Sequence, residues 1–174
     1  MLLELIPSDA SSPLSVSERD LAALAACERG TILLDVSARA DATLMTLTGT
    51  NGRIALELRG GRLYGEQVLG ADGSPAAGDG VERRILDAED ALGLDDGRPH
   101  TIALSVNETG THLYADGYEC FSTTLTAFLA QIGLTGVSID PDGIAEVTRL
   151  AVLAVAHTRA SLTQPSMHLS SLAD

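Results

Sequence analysis

The stretch from Gly97 to Tyr118, GRPHTIALSVNETGTHLYADGY, leaves the chain few choices of fold. Residues His100 to Val106 alternate in polarity, and so do Thr111 to Asp116. Successive side chains on a strand point to opposite faces, so each run presents one apolar and one polar face. Between the runs stand Asn107, Glu108, Thr109 and Gly110, all turn formers, and Asp116-Gly117 marks a second turn. The pattern predicts an antiparallel hairpin whose apolar face needs another layer to cover it.

The remaining sequence repeats this theme. Leu2 to Ile6, Thr31 to Val36, Thr43 to Thr48, Val81 to Ala88, Val137 to Asp140 and Ile144 to Ala156 read as strands, rich in aliphatic and β-branched residues. Arg53 to Arg59 and Arg62 to Leu69 flank Gly60-Gly61, a strong two-residue hairpin signal. Thr123 to Ile132 suits either a strand or one helical turn. A short helix is expected after Ser17, an N-cap residue followed by Glu18, Arg19, Asp20 and an Ala/Leu run to Ala26, with Gly30 as its stop. Ser- and Pro-rich residues 7–13 and Gly-, Ala- and Asp-rich residues 71–80 read as loops. With 174 residues, 17 Gly and 6 Pro, one all-β domain of about ten strands fits, a sandwich or a barrel. The end, residues 157–174, is weakly patterned and reads as a loosely ordered tail.

Charge narrows the partners. The net charge of −13 disfavours nucleic acid and anionic membrane, which it would repel. All 11 basic residues are Arg, so no Lys-based covalent chemistry is available. No stretch approaches the roughly 20 apolar residues of a membrane span. Residues 1–6 are too short and acidic for a signal peptide, so either the chain stays inside the cell or an export signal precedes it. Cys27 and Cys120 form no metal or redox motif and read as two buried free thiols.

Two polar faces are candidate sites. With a two-residue loop at Gly60-Gly61, Arg59 faces Arg62, Leu58 faces Leu63, Glu57 faces Tyr64 and Ala55 faces Glu66. Ile54, Leu56, Leu58 and Leu63 then share the core face, and Glu57, Arg59, Arg62, Tyr64 and Glu66 share the other. Guanidinium groups suit bidentate contact with a carboxylate, and Tyr offers an apolar plate with a hydroxyl handle. Such a set suits an acidic sugar; the plainer reading is a solvated face with cross-strand charge pairs. In the longer hairpin, Ile102, Leu104, Val106, Leu113 and Ala115 form the core face. Thr101, Ser105, His112, Tyr114 and Asp116 form the other, where His112, Tyr114 and Asp116 are candidates for hydrogen bonding to a polyol or for acid/base chemistry; a satisfied half-exposed sheet face is the plainer reading. Other acids, Asp87, Glu89, Asp90, Asp95 and Asp96, fall in turn-like sequence and supply no rigid glycosidase pair. Asp140 and Asp142 with Asp95 and Asp96 offer oxygens to Ca²⁺, but acidic turns are commonly just solvated, and no cofactor is expected. Asn107-Glu108-Thr109 matches a glycosylation sequon and also serves as a turn.

The order of several segments is familiar. GTILLDVSA from Gly30, TLMTLTG, RIALELRGGRLYGE, DGRPHTIALSVNETGTHLYADG and IAEVTRLAVLAVAHTRASL resemble the concanavalin A-like lectin/glucanase superfamily, of laminin G-like type. Within it they look most like the lectin-like domain beside the catalytic propeller of bacterial sialidases. The resemblance covers most of the chain and rests chiefly on the H-T-x-A and L-Y-x-D-G halves of the hairpin. It implies a jelly-roll β-sandwich of two antiparallel sheets and a carbohydrate-binding role. It does not imply sialidase activity, because that catalytic domain carries Asp boxes ending in Trp and this chain has no Trp.

Three readings follow. The first is a non-catalytic lectin-like domain that binds a carbohydrate or other small molecule. The second is a cofactor-independent enzyme with a pocket between the same sheets. The third is a structural or oligomerisation module in which the apolar strand Ile144 to Ala156 forms an interface between copies.

Overall fold

The computed structural model describes residues 3–6, 14–70, 82–87 (side chains of 85–87 only) and 92–155. Within them eleven strands and two helices follow in the order β1 (Leu3–Leu5), α1 (Glu18–Ala25), β2 (Gly30–Ser37), β3 (Ala42–Gly49), β4 (Gly52–Arg59), β5 (Arg62–Leu69), β6 (Glu82–Asp87), β7 (His100–Asn107), β8 (Gly110–Ala115), β9 (Tyr118–Thr123), α2 (Leu129–Ile132), β10 (Leu134–Ile139) and β11 (Glu146–Leu153). They form a six-stranded sheet, β1-β11-β2-β7-β8-β9, and a five-stranded sheet, β10-β3-β4-β5-β6. Every pairing is antiparallel. The expected all-β sandwich of two antiparallel sheets is the observed fold.

The core lies between the sheets, where the apolar faces meet. Ile32, Leu34, Ile102, Leu104 and Leu113 come from the six-stranded sheet, and Met45, Ile54, Leu56, Leu58 and Leu63 from the five-stranded sheet; all are buried. Burying an aliphatic side chain is worth about 1.5–3 kcal/mol, so these two rows are the main cohesive element. Phe128 and Ile132, around α2, are also fully buried. Helix α1 begins at Ser17, whose hydroxyl accepts the Asp20 N–H at 3.2 Å. It packs on β10, an edge strand, while the edge strands β6 and β9 contact each other. Sheet edges are liabilities for aggregation, and both sides of the sandwich are thus partly covered.

Several details differ from the sequence expectations. The helix ends at Ala25, with Ala26 as its C-cap, so Gly30 is not its stop. Gly30 instead opens β2, where a Cβ would sit 2.2 Å from the Leu153 carbonyl oxygen. Strand β9 has no counterpart among the expected strands; it is an edge strand with a half-exposed face and a register shift against β8, so its sequence does not alternate cleanly. The ambiguous stretch after it becomes a loop and the single turn α2. Cys27 and Cys120 are not joined in a disulfide, and only Cys27 is buried; Cys120 is half-buried on β9. Strand β11 pairs with both β1 and β2, and its Leu150 to Leu153 are buried in the fold itself. The loops expected at 7–13 and 71–80 and the tail at 157–174 lie outside the described residues.

Candidate functional site

The β4–β5 hairpin has the register that its sequence dictates: Arg59 opposite Arg62, Leu58 opposite Leu63, Glu57 opposite Tyr64, Ala55 opposite Glu66. Gly60 and Gly61 both take left-handed conformations, φ 56° and 71°, as a tight two-residue hairpin turn requires. The Asp41 carboxylate accepts the Gly60 N–H at 2.6 Å, and the Gly61 carbonyl accepts the Leu94 N–H at 3.2 Å. The turn is therefore held from both sides by neighbouring loops.

Glu57, Arg59, Arg62, Tyr64 and Glu66 all lie on the outer face of the five-stranded sheet, as the alternation requires. They are not equivalent there. The Arg59 guanidinium donates to Glu57 Oε2 from Nε at 2.8 Å and lies 2.6 Å from it at Nη2. It also stacks on the Tyr64 ring, its central carbon 3.6 Å from the ring centroid. Glu57 and Tyr64 thus fix the plane of a half-exposed cation. Arg62 projects from the end of the hairpin and is exposed. Glu66 departs from the expectation of a solvated face, because it is only 5% exposed. It is ion-paired with Arg53, two residues along β4 from Ala55. Arg53, absent from the sequence-based candidates, places a third guanidinium on this face, and its buried Nε has no hydrogen-bond partner. The period-2 pattern does contain that signal, since Arg53, Ala55, Glu57 and Arg59 share parity. Asp87, expected in a turn, ends β6 opposite Tyr64 and brings a carboxylate to the rim of the same face.

The second candidate set lies on the opposite side of the molecule, on the outer face of the six-stranded sheet, so the two sets cannot converge on one ligand. His112 Nδ1 is 3.0 Å from Glu119 Oε1 and its Nε2 is 3.2 Å from Thr109 Oγ1. Its ring stacks near Tyr114, centroids 6.4 Å apart. Tyr114 is buried, and burial first, then the Glu119 charge, pushes its phenol pKa upward, away from any acid role near neutrality. Asp116 stands just past β8 in a left-handed turn conformation, φ 49°, with Oδ1 accepting the Thr101 N–H at 2.9 Å and Oδ2 lying 2.8 Å from His100 Nδ1. His112 and Asp116 thus spend their polar atoms on neighbouring side chains and on the hairpin backbone.

Two of the turn carboxylates, Asp140 and Asp96, are similarly engaged. Asp140 Oδ1 accepts the Ile144 and Ala145 N–H groups, each at 3.1 Å, and closes its own loop. Asp96 accepts the Arg98 N–H at 2.7 Å. Among the described residues no three His, Cys, Asp or Glu side chains gather in a way that holds a metal ion. Asn107 Oδ1 accepts both the N–H and the hydroxyl of Thr109, at 2.7 and 2.6 Å, so the sequon residues build the turn. Between the sheets a cavity of 10 Å³ lies among Leu24, Ile32, Met45, Leu129 and Val152, and its whole lining is apolar. It has room for about one water and no polar group to hold it. No helix among the described residues is long and apolar enough to cross a membrane.

No family model and no curated protein sequence matches this chain. Solved structures do. The CBM40 domain of the Ruminococcus gnavus IT-sialidase superposes with a TM-score of 0.65 at 17% identity, over 94% of this chain and 97% of that one. The same domain has been solved bound to α2,3-sialyllactose and to α2,6-sialyllactose, with TM-scores of 0.61 and 0.63. The leech intramolecular trans-sialidase matches with a TM-score of 0.67 at 16% identity, over 94% of this chain but 27% of the enzyme. The NanB sialidase of Streptococcus pneumoniae matches with a TM-score of 0.67 at 15% identity, over 95% of this chain and 28% of the enzyme. The chain therefore has the jelly-roll sandwich fold of the lectin-like domains of sialidases.

Proposed function

We propose that this chain is a non-catalytic carbohydrate-binding domain that takes an acidic sugar of the sialic acid type on the outer face of its five-stranded sheet. The observation that carries this reading is the Arg59 guanidinium, held in plane by Glu57 and laid across Tyr64, beside Arg62. An immobilised, half-exposed guanidinium recognises a carboxylate bidentately and has already lost part of the rotamer freedom that binding would otherwise remove. Tyr64 offers an apolar edge and a hydroxyl to the pyranose and its substituents. Arg53, set by Glu66, extends the basic row along β4 and favours an anionic ligand despite the acidic chain as a whole. The fold shared with a domain solved in complex with sialyllactose supports the same choice.

Titration calorimetry with 3′-sialyllactose, 6′-sialyllactose and lactose tests it. Both sialylated sugars are expected to bind and lactose is not, and Arg59→Ala is expected to abolish the difference. Equal heats from lactose and sialyllactose would remove the reading, as would unchanged binding by Arg59→Ala.

A further inference from the structure

His100 occupies a singular position. It opens β7, and its side chain is 12% exposed. Both ring nitrogens face carboxylates: Nδ1 lies 2.8 Å from Asp116 Oδ2 and Nε2 lies 3.1 Å from Asp96 Oδ1. A neutral imidazole has one N–H and one lone pair, so it donates to only one carboxylate and turns its lone pair on the other. The imidazolium donates to both. The geometry is thus made for the charged ring. Around it, β2 contributes Val36 directly opposite, with Asp35 alongside bound to Thr101 and Arg149. The β8–β9 turn contributes Asp116, and the loop of residues 92–99 contributes Asp96 and Arg98, the latter with Nε 3.6 Å from Asp96 Oδ2.

That loop reaches the other sheet. Its Leu94 N–H donates to the Gly61 carbonyl at 3.2 Å, its Asp96 N–H to Gly93 at 3.2 Å, and its Gly97 N–H to Ala38 at 2.8 Å. Asp95 lies so close to Gly61 that a Cβ there would come within 2.7 Å of its carboxylate. A continuous set of contacts therefore joins His100, on the six-stranded sheet, to the turn from which Arg59 and Arg62 project on the five-stranded sheet.

We propose that protonated His100 is a clamp that holds Asp96, and with it the 92–99 loop, against the Gly60-Gly61 turn, so that anion binding at Arg59 and Arg62 is stronger when His100 is charged. The regulatory half of this inference rests on the carbohydrate-binding reading; the clamp does not. Burial opposes the charge on His100, but its hydrogen bonds to Asp116 and Asp96 outweigh burial and raise its pKa above the ordinary histidine value.

The test uses the full chain, wild type and Asp96→Asn, with His100→Gln as a second variant. NMR follows the His100 ring and the amide protection of Leu94 and Gly97 across its titration, and calorimetry measures 3′-sialyllactose on either side of the midpoint. In the wild type, protection at Leu94 and Gly97 is expected to fall as His100 loses its proton, and affinity to drop about fivefold, the lower end of typical coupling between sites. In Asp96→Asn, His100 still titrates against Asp116, but both responses flatten. Should His100→Gln fail to fold, Asp96→Asn carries the comparison alone, since Asp96 is substantially exposed. Protection at Leu94 and Gly97 that ignores the His100 titration would overturn the clamp. Responsive amides with an unchanged affinity would overturn its link to binding. If sialyllactose binds at neither pH, the carbohydrate reading and the regulatory half fail together, while the amides still decide the clamp.

Discussion

Arg59 lies flat on Tyr64, the guanidinium carbon 3.6 Å from the ring centroid, although the two residues belong to different strands and are not directly paired. The contact is diagonal: Tyr64 faces Glu57, and Arg59 folds back one pleat to cover the ring and grip that same glutamate. One carboxylate and one ring therefore orient one cation. Charge-assisted hydrogen bonds contribute about 1.5–3 kcal/mol. Arg59→Ala is accordingly expected to weaken sialyllactose binding by about 10- to 100-fold, while the half-exposed position keeps the stability change near 0.5 kcal/mol. Arg59→Lys, which keeps the charge but loses the planar fork, is expected to recover only a small part of the affinity. Full recovery by Lys in calorimetry would mean that charge alone, not the stacked geometry, does the recognising.

Glu66 supports a stability prediction on the same face. It is 5% exposed and ion-paired with Arg53, whose Nε is buried without a partner. Removing one partner of a buried pair leaves an uncompensated charge, at a cost of about 3–5 kcal/mol for full burial. Arg53 is about a third exposed, so water compensates part of this, and Glu66→Ala is expected to cost about 2 kcal/mol in urea unfolding. The double replacement Arg53→Met with Glu66→Leu is expected to return most of that loss, because two apolar groups leave nothing unpaired. A single variant as stable as the wild type would show that the pair is effectively solvated.

The hairpins were legible in the sequence because both signals they need are local: period-2 alternation fixes the faces and the turn residues fix the register. Leu58 opposite Leu63 and Val106 opposite Thr111 follow from counting outward from the turns, and the structure has both. What alternation does not encode is which outer positions are covered. Glu57 and Glu66 look alike in the pattern, yet one is partly exposed against Arg59 and the other is buried against Arg53. Tyr114 has the same parity as His112 but is buried, so it lacks the exposure that a ligand platform requires. Asp116-Gly117 reads as a turn, and the positive φ of Asp116 agrees, but the bonds of its carboxylate to Thr101 and His100 are not written in the pattern. Alternation does not single out His100, because its partners, Asp96 and Asp116, come from a loop and a turn whose approach depends on the tertiary fold.

The pH dependence of stability follows from His100. Its folded-state pKa is raised above the unfolded value of about 6.5. The folded state therefore binds the proton more tightly than the unfolded chain. The stabilisation is complete below about pH 6.5 and fades as pH climbs through the folded-state pKa. Wild-type melting temperature is expected to decline over that window, and His100→Gln to melt lower with a flatter profile there. A wild-type profile that rises across the same window, with the variant unchanged, would assign the proton linkage to another group.

Gly60 and Gly61 share left-handed conformations but not surroundings, and the difference is measurable. A Cβ at Gly60 meets nothing within 4 Å, whereas one at Gly61 comes within 2.7 Å of Asp95 Oδ1. Asn tolerates the left-handed region better than other side-chain-bearing residues, and Asn-Gly is the favoured pair for this turn. Gly60→Asn also narrows the unfolded ensemble, so it is expected to stabilise the fold by about 0.5 kcal/mol. Gly61→Asn has to displace Asp95 from the turn and is expected to cost about 1 kcal/mol and to loosen the 92–99 loop. The pair of variants isolates the packing of Asp95 from the backbone preference common to both sites. Equal melting temperatures for the two would mean that Asp95 yields freely and that the loop is not seated on the turn.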